Sequence, residues 1–226
     1  MMNFIYGPLL YFSIAVFFVG MLYNVVKYIM GLSQKLDRVA YKAHWGKGLV
    51  GAFLSIIKWM IPGGTRGWRV RPITTFVFFL FHCGAILLPF FLLQHAVIIE
   101  NMFGISLPTL PTALADTLSV MSIIGLVGLA VRRITVSYVR ALTTPYDWFI
   151  LILAALPFVT GVMFRFSTST YECWEIIHII SAEIFLILAP FTKLNHMVLY
   201  FMSRAQIGMD FAIKRGGQNR GPAFPW

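Results

Sequence analysis

The chain has 226 residues, 59% of them hydrophobic and only 12% charged, a balance that no soluble domain of this size can bury. The class is therefore an all-α integral membrane protein built as one bundle. The formal charge of +10 invites a nucleic-acid reading, which the placement of the cations along the spans excludes.

The first apolar run, residues 4–28, has neither a basic leader nor a small-residue cleavage site, so it reads as a retained span. No charge precedes it, whereas Lys27, Lys35, Arg38, Lys42 and Lys47 follow. That asymmetry puts the N-terminus outside and residues 31–72 in the cytoplasm. Within this loop, residues 49–60 mix apolar side chains with flanking Lys47 and Lys58, the pattern of a short helix lying in the headgroup plane. Pro62-Gly63-Gly64 ends it, and His44 reads as a solvated loop residue.

Span two, residues 73–99, runs outward and carries His82 and His95, with Pro89 between them expected to kink the helix. An acidic external loop, 100–116, follows. Span three, 117–131, returns inward and stops at Arg132-Arg133, and the connector holds Arg140. Span four, 146–164, goes out again with Pro157 inside it. Span five, 174–202, runs inward after Glu172 and Glu175, and residues from Ser203 on are basic and cytoplasmic.

On this topology 17 of the 18 Lys and Arg face the cytoplasm, Arg165 being the exception, while Glu100, Asp116, Glu172 and Glu175 sit at the outer edge. The basic balance thus reflects membrane orientation and a partner-docking face. The organisation is a five-span domain over 1–205, N-terminus out and C-terminus in, with a cytoplasmic tail over 206–226. The Gly/Asn/Pro-rich end of that tail is expected to order only on a partner.

Four intramembrane histidines carry the chemistry. His178 and His196 on a continuous helix would share one stripe, five turns and roughly 27 Å apart. Either is compatible with an interfacial histidine that binds no metal. As a pair facing His82 and His95 on an antiparallel span, they fit the axial ligands of two stacked haems between spans two and five. His82 then pairs with His196 toward the cytoplasm, and His95 with His178 toward the outside. His82 and His95 are three turns plus about 220° apart, so an ideal helix does not align them, and the Pro89 distortion is expected to absorb part of the mismatch.

No C-x-x-C-H sequence occurs, so the haems would be b-type. Cys83 and Cys173 are too few for an iron–sulfur cluster or structural zinc, and their separate spans argue against a disulfide. Lys193, Arg132, Arg133 and Arg140 read equally as propionate partners or as topology-setting charges. Glu183, deep in span five, reads as a proton relay for a quinone or as a structural partner of another helix. Glu100 is a second acid of this kind.

Three stretches carry a family resemblance: Leu80-Phe81-His82, the Arg132–Thr144 connector RRITVSYVRALTT, and Pro190–His196, PFTKLNH. Over about residues 70–205 the chain resembles the gamma subunit of respiratory nitrate reductase, a dihaem cytochrome b membrane anchor. The resemblance implies that His82 and His196 ligate the cytoplasmic-side haem and that His178 ligates the outer one. It departs at the second histidine of span two, which those relatives place ten positions after the first. Leu92 stands there, and His95 is the nearest candidate. The lysine associated with quinol binding in those subunits has no counterpart. The long basic loop is more similar to the cytochrome b subunits of transmembrane redox complexes of sulfate reducers (the Hmc and Tmc type), which implies a multihaem cytochrome c outside and an iron–sulfur protein inside.

The expected function is a subunit with two b haems in a bacterial cytoplasmic (inner) membrane, part of a hetero-oligomeric complex. It would relay electrons between a periplasmic multihaem cytochrome c, or the menaquinone pool, and a cytoplasmic iron–sulfur partner. The alternatives are a quinol-oxidising subunit in the nitrate reductase manner, and a haem-free anchor or transporter.

Overall fold

The computed structural model describes residues 4–32 and 45–214, and every regular element among them is helical. In chain order the helices are α1 (Leu10–Gly31, after a π-helical turn Ile5–Leu9), α2 (Trp45–Met60), α3 (Arg66–Arg69), α4 (Pro72–Phe91) and α5 (Leu93–Phe103). They continue with α6 (Thr112–Thr135), α7 (Ser137–Leu142), α8 (Pro145–Phe166), α9 (Tyr171–Leu188) and α10 (His196–Lys214). Five segments are long and apolar enough to cross a membrane: Ile5–Gly31, Pro72–Phe91, Thr112–Thr135, Pro145–Phe166 and Tyr171–Phe191. That is the expected number, in the expected order. His44, Lys35, Arg38, Lys42, Arg215 and Arg220 lie outside the described residues. The described residues divide into two compact units, one from 4–10 and 73–185, the other from 11–32, 45–72 and 186–214.

In the first unit α4 and α6 run antiparallel, with Leu88 packed on Ala115 and Leu118. Small residues let the backbones approach. A Cβ on Gly125 would sit 2.6 Å from the Phe81 nitrogen, and one on Gly84 would collide with Ser122 Oγ. α8 starts at a capping box in which Thr144 and Asp147 satisfy each other's backbone N–H, with Pro145 in the first turn. Its far end is tied to the start of α6 by a bidentate Arg165–Asp116 pair at 2.9 and 3.1 Å. Cys83 and Cys173 are both free thiols.

Two expected spans are each interrupted. Span two does not run unbroken to residue 99: the chain goes extended at Leu92 (φ −71°, ψ 135°) and restarts as α5. Pro89 has already removed one ladder bond, and the carbonyl of Phe91 turns to the Leu110 N–H at 2.8 Å. Span five does not continue through His196 either. α9 ends at Leu188, and two 3-10 turns (Ala189–Phe191 and Lys193–Asn195) precede α10. Pro190 cannot continue the ladder, and Thr192, extended at φ −121°, caps the next turn through the Leu194 N–H. The shared stripe of His178 and His196 therefore does not exist.

In the second unit the cytoplasmic-loop helix expected at residues 49–60 is present as α2, and it pairs with α10. Gly48, Gly51, Ala52 and Ser55, spaced i, i+3, i+4 and i+7, form its buried face. Gly51 and Gly208 meet backbone to backbone, and Tyr200 donates to the Ile56 carbonyl at 3.4 Å. Arg204 lies over Trp59, 4.6 Å from the ring centre. α10 thus keeps residues 206–214 helical, where sequence reading began the tail. At the other edge of this unit Asn24 Nδ2 donates to the Pro190 carbonyl at 2.8 Å and the Gly20 carbonyl at 2.9 Å, so the broken helix end is satisfied by α1.

A side chain at position 208 has no room, since its Cβ would meet the Gly51 carbonyl and sit 2.7 Å from Ser55 Cβ. Gly208→Val is expected to destabilise the protein by about 1–3 kcal/mol through overpacking. Thermal unfolding in detergent followed by circular dichroism should show a lowered Tm, and an unchanged Tm would contradict the α2–α10 contact.

Candidate functional site

The break at Leu92 changes the direction of the histidine that follows it. His95 Nδ1 donates to the Leu88 carbonyl at 2.9 Å, reaching back across the break to a group already bonded by the Leu92 N–H. The ring is thereby placed beside His178 of α9, with ring centres 6.2 Å apart and planes only 9° from parallel. These are the two residues that the sequence pairs on the outer side.

His178 is held equally closely. Its Nδ1 lies 3.2 Å from Thr160 Oγ1. The Thr160 hydroxyl donates to the Leu156 carbonyl at 2.7 Å, so its lone pair is left to accept the His178 Nδ1–H. Ser181 Oγ lies 3.1 Å from Thr160 and donates to the His178 carbonyl at 2.8 Å. Gly161 gives the ring its room, because a Cβ there would come within 3.1 Å of His178 Cε1. Phe164 stacks beside the same ring at 6.2 Å.

With Nδ1 of each ring committed as donor, Nε2 is the nitrogen each imidazole has for a metal. A metal bound end-on by two imidazoles lies about 2 Å from each nitrogen, which puts the ring centres on the order of 6 Å apart. The observed spacing and near-parallel planes fit that arrangement. Among the described residues no group of three or more His, Cys, Asp or Glu side chains converges on one point. Two imidazoles without further protein ligands suit a metal whose equatorial positions are filled by a macrocycle, as in haem.

The other sequence-selected residues are not gathered at this pair. His82, half-buried on α4, has its Nδ1 2.8 Å from the Phe78 carbonyl and its ring stacked on Phe78 at 3.8 Å. His196 is the exposed first residue of α10, with Nδ1 2.8 Å from the Lys193 carbonyl. Lys193 is exposed. Arg132 and Arg133 lie in the last turn of α6, 16 residues or about 24 Å from Asp116, so they belong to the end of the unit away from the His95–His178 pair. Arg132 Nε is buried and has no hydrogen-bond partner among the described residues. Arg140 donates to the Ile134 carbonyl at 3.3 Å and so covers the end of α6. Glu100 is exposed on α5, and Glu183 is only 2% exposed.

Sequence reading missed Thr160 and Gly161. Their signal was present as a hydroxyl and a glycine side by side in an otherwise apolar span, three residues after Pro157. It also missed the approach of Tyr6 to Glu175, one turn before His178.

The described residues thus form five membrane-length helical segments with two imidazoles side by side. Residues 73–175 match the protein family described as nitrate reductase gamma subunit. A relative from Nitratidesulfovibrio vulgaris (strain Hildenborough), described only as "Protein", is 58% identical over 226 residues, which is 100% of both chains. No solved structure matches. Over residues 73–175 the chain is similar to the nitrate reductase gamma subunit family, a family of haem b-binding membrane subunits of hetero-oligomeric complexes. It is a multi-pass membrane subunit of the cytochrome b type. The matched stretch holds His82 and His95 and ends before His178 and His196.

Thr160 is a positioning residue for His178. Loss of an outer-shell partner of a metal-binding histidine costs roughly 10–100-fold in affinity. With His178 as a haem ligand, the reading proposed below, Thr160→Val is expected to weaken haem binding by about that factor, read by titrating haemin into haem-depleted protein, whereas Thr160→Ser should restore it. Equal affinity in wild type and Thr160→Val would remove Thr160 from this role.

Proposed function

We propose that this chain carries two b haems and relays electrons across the cytoplasmic membrane of a bacterium within a larger redox complex. The observation that carries the reading is the parallel His95–His178 pair at 6.2 Å, each ring tethered through Nδ1. In this reading the two Nε2 atoms are the axial ligands of the outer-side haem. Haem supplies a one-electron iron couple, and with both axial positions taken by imidazole it has no open position for substrate. His82 and His196 are assigned to the cytoplasmic-side haem on the sequence resemblance alone.

Lys193, Arg132, Arg133 and Arg140 would meet propionates at the cytoplasmic end. Arg132 has the best support of the four, since a buried guanidinium N–H without an acceptor calls for an anion. The partners in this reading are a periplasmic multihaem cytochrome c and a cytoplasmic iron–sulfur protein, the complex type of sulfate reducers. Arg66, Arg69 and Arg71 would offer the iron–sulfur partner a basic surface. α2 would rest in the headgroup layer, with Trp45, Leu49, Val50 and Phe53 exposed beside Lys47 and Lys58.

A second reading, oxidation of menaquinol, draws on the approach of Tyr6 to Glu175 one turn from His178. A phenol–carboxyl pair beside the imidazoles is the chemistry that would take protons from a quinol.

A pyridine haemochrome assay with a dithionite-reduced spectrum on detergent-purified protein tests the main reading. Two b haems per chain are expected in wild type, and one in either His95→Ala or His178→Ala. Full haem content in both variants would overturn the ligand assignment. Absence of haem from wild type would return the chain to the anchor or transporter class.

A further inference from the structure

Glu183 stands apart from the other acids of the chain. It is 2% exposed, so it faces protein and not lipid, and among the described residues neither carboxyl oxygen has a hydrogen-bond partner. Asp147, also buried, shows the contrast: it accepts from the Thr144 backbone N–H at 2.9 Å and the Thr144 hydroxyl at 2.8 Å. An acid that tied helices together would show a donor. Among the described residues Glu183 has none, which sets it apart from Asp147 and turns attention to its proton.

A charged carboxylate without donors in an apolar span is costly unless another charge offsets it. The chain offers few offsets. No ionisable side chain occurs in residues 12–22, 117–131 or 148–164, the apolar lengths of three other spans. α4 contributes His82 and Cys83, α5 contributes His95 and Glu100, and α9 itself contributes Glu172, Cys173, Glu175 and His178. Asp116 and Arg165 neutralise each other at one end, and Arg132 and Arg133 close α6 at the other. His178 lies five residues before Glu183 on the same helix, about 7.5 Å along its axis.

We propose that Glu183 is a redox-linked proton site whose charge follows that of the metal centre held by His95 and His178, an inference that rests on the haem reading above. With the centre oxidised and net positive, the Glu183 carboxylate is offset. When a haem or iron–sulfur centre of a partner donates one electron, Glu183 takes one proton. An O–H bond forms at a Glu183 oxygen as one breaks in a hydronium ion, and the net charge buried in the span is unchanged. Reoxidation releases the electron and the proton together.

The test is a redox titration of intact haem-loaded protein at several pH values, paired with redox-difference infrared spectra in water and heavy water. The haem to follow is the one missing from His178→Ala. In wild type its midpoint potential should fall as pH rises, approaching a tenfold change in the reduced-to-oxidised ratio per pH unit, or about 59 mV, at full coupling. Reduction should also bring up a protonated-carboxyl band that shifts in heavy water. Glu183→Gln, close in shape, should lose both the slope and the band. A flat wild-type potential overturns the proposal without any variant, as does a Glu183→Gln protein that keeps the slope. A haemochrome assay of the same sample separates the two failures: haem-free wild type sinks the haem reading and this inference together, whereas haem-loaded protein with a flat potential sinks this inference alone.

Discussion

Inside a bilayer a broken helix has no water to bond its freed carbonyls, so the protein must supply every donor. This chain breaks at Leu92 and again after Leu188, and both breaks are closed by named partners. The Leu110 N–H takes the Phe91 carbonyl, and Asn24 takes the Pro190 carbonyl. At the first break the Leu88 carbonyl also takes His95 Nδ1. The Leu92 N–H already bonds that carbonyl, so the His95 bond is a second one on the same oxygen, and it commits one nitrogen of the imidazole.

The same environment explains which residues pack. Lipid tails are as apolar as leucine, so large aliphatic side chains gain little by turning inward, and close contact of small residues decides the interfaces. In the first unit Gly84 and Gly125 admit Ser122 and Phe81. In the second, outside the membrane-length segments, Gly51 and Gly208 meet in the same close manner. Gly161 applies the same rule to the site, where the missing side chain is the space that the His178 ring fills.

Much of this was legible in the sequence. Apolar run length gave the five spans, because hydrophobic thickness fixes helix length regardless of packing. The pairing of His95 with His178 was legible from span order, although the helical-wheel angle between His82 and His95 opposed it. That angle assumed an unbroken helix, and the extended Leu92 makes it irrelevant. The reverse error came at His196, where a clean 18-residue spacing argued for one stripe and Pro190 ended the helix between the two histidines. A regular spacing is informative only over residues that stay helical, and proline is a better witness to that than hydropathy. The α2–α10 hairpin was half visible: Gly48, Gly51, Ala52 and Ser55 mark a face built for close approach, but nothing in a single helix names the helix that fills it. Thr160 could not be assigned from pattern, since its role depends on its hydroxyl proton going to the Leu156 carbonyl, which leaves an oxygen lone pair for His178.

The scarcity of charge in the spans bears on what such a protein can do with an electron. In the haem reading, six-coordinate iron with both imidazoles tethered can change its charge but not its ligands, so structural reorganisation is small and the dominant cost of reduction is electrostatic. In water, solvent dipoles meet that cost. In a bundle whose spans are nearly free of ionisable groups, the compensation must come from a fixed dipole, a distant surface charge or a proton. Fixed dipoles cannot follow the electron in and out, and surface cations such as Arg133 are screened by solvent and salt. A buried acid on the helix that carries one of the ligands, five residues away and without a hydrogen bond to hold it in one charge state, is the arrangement that can respond.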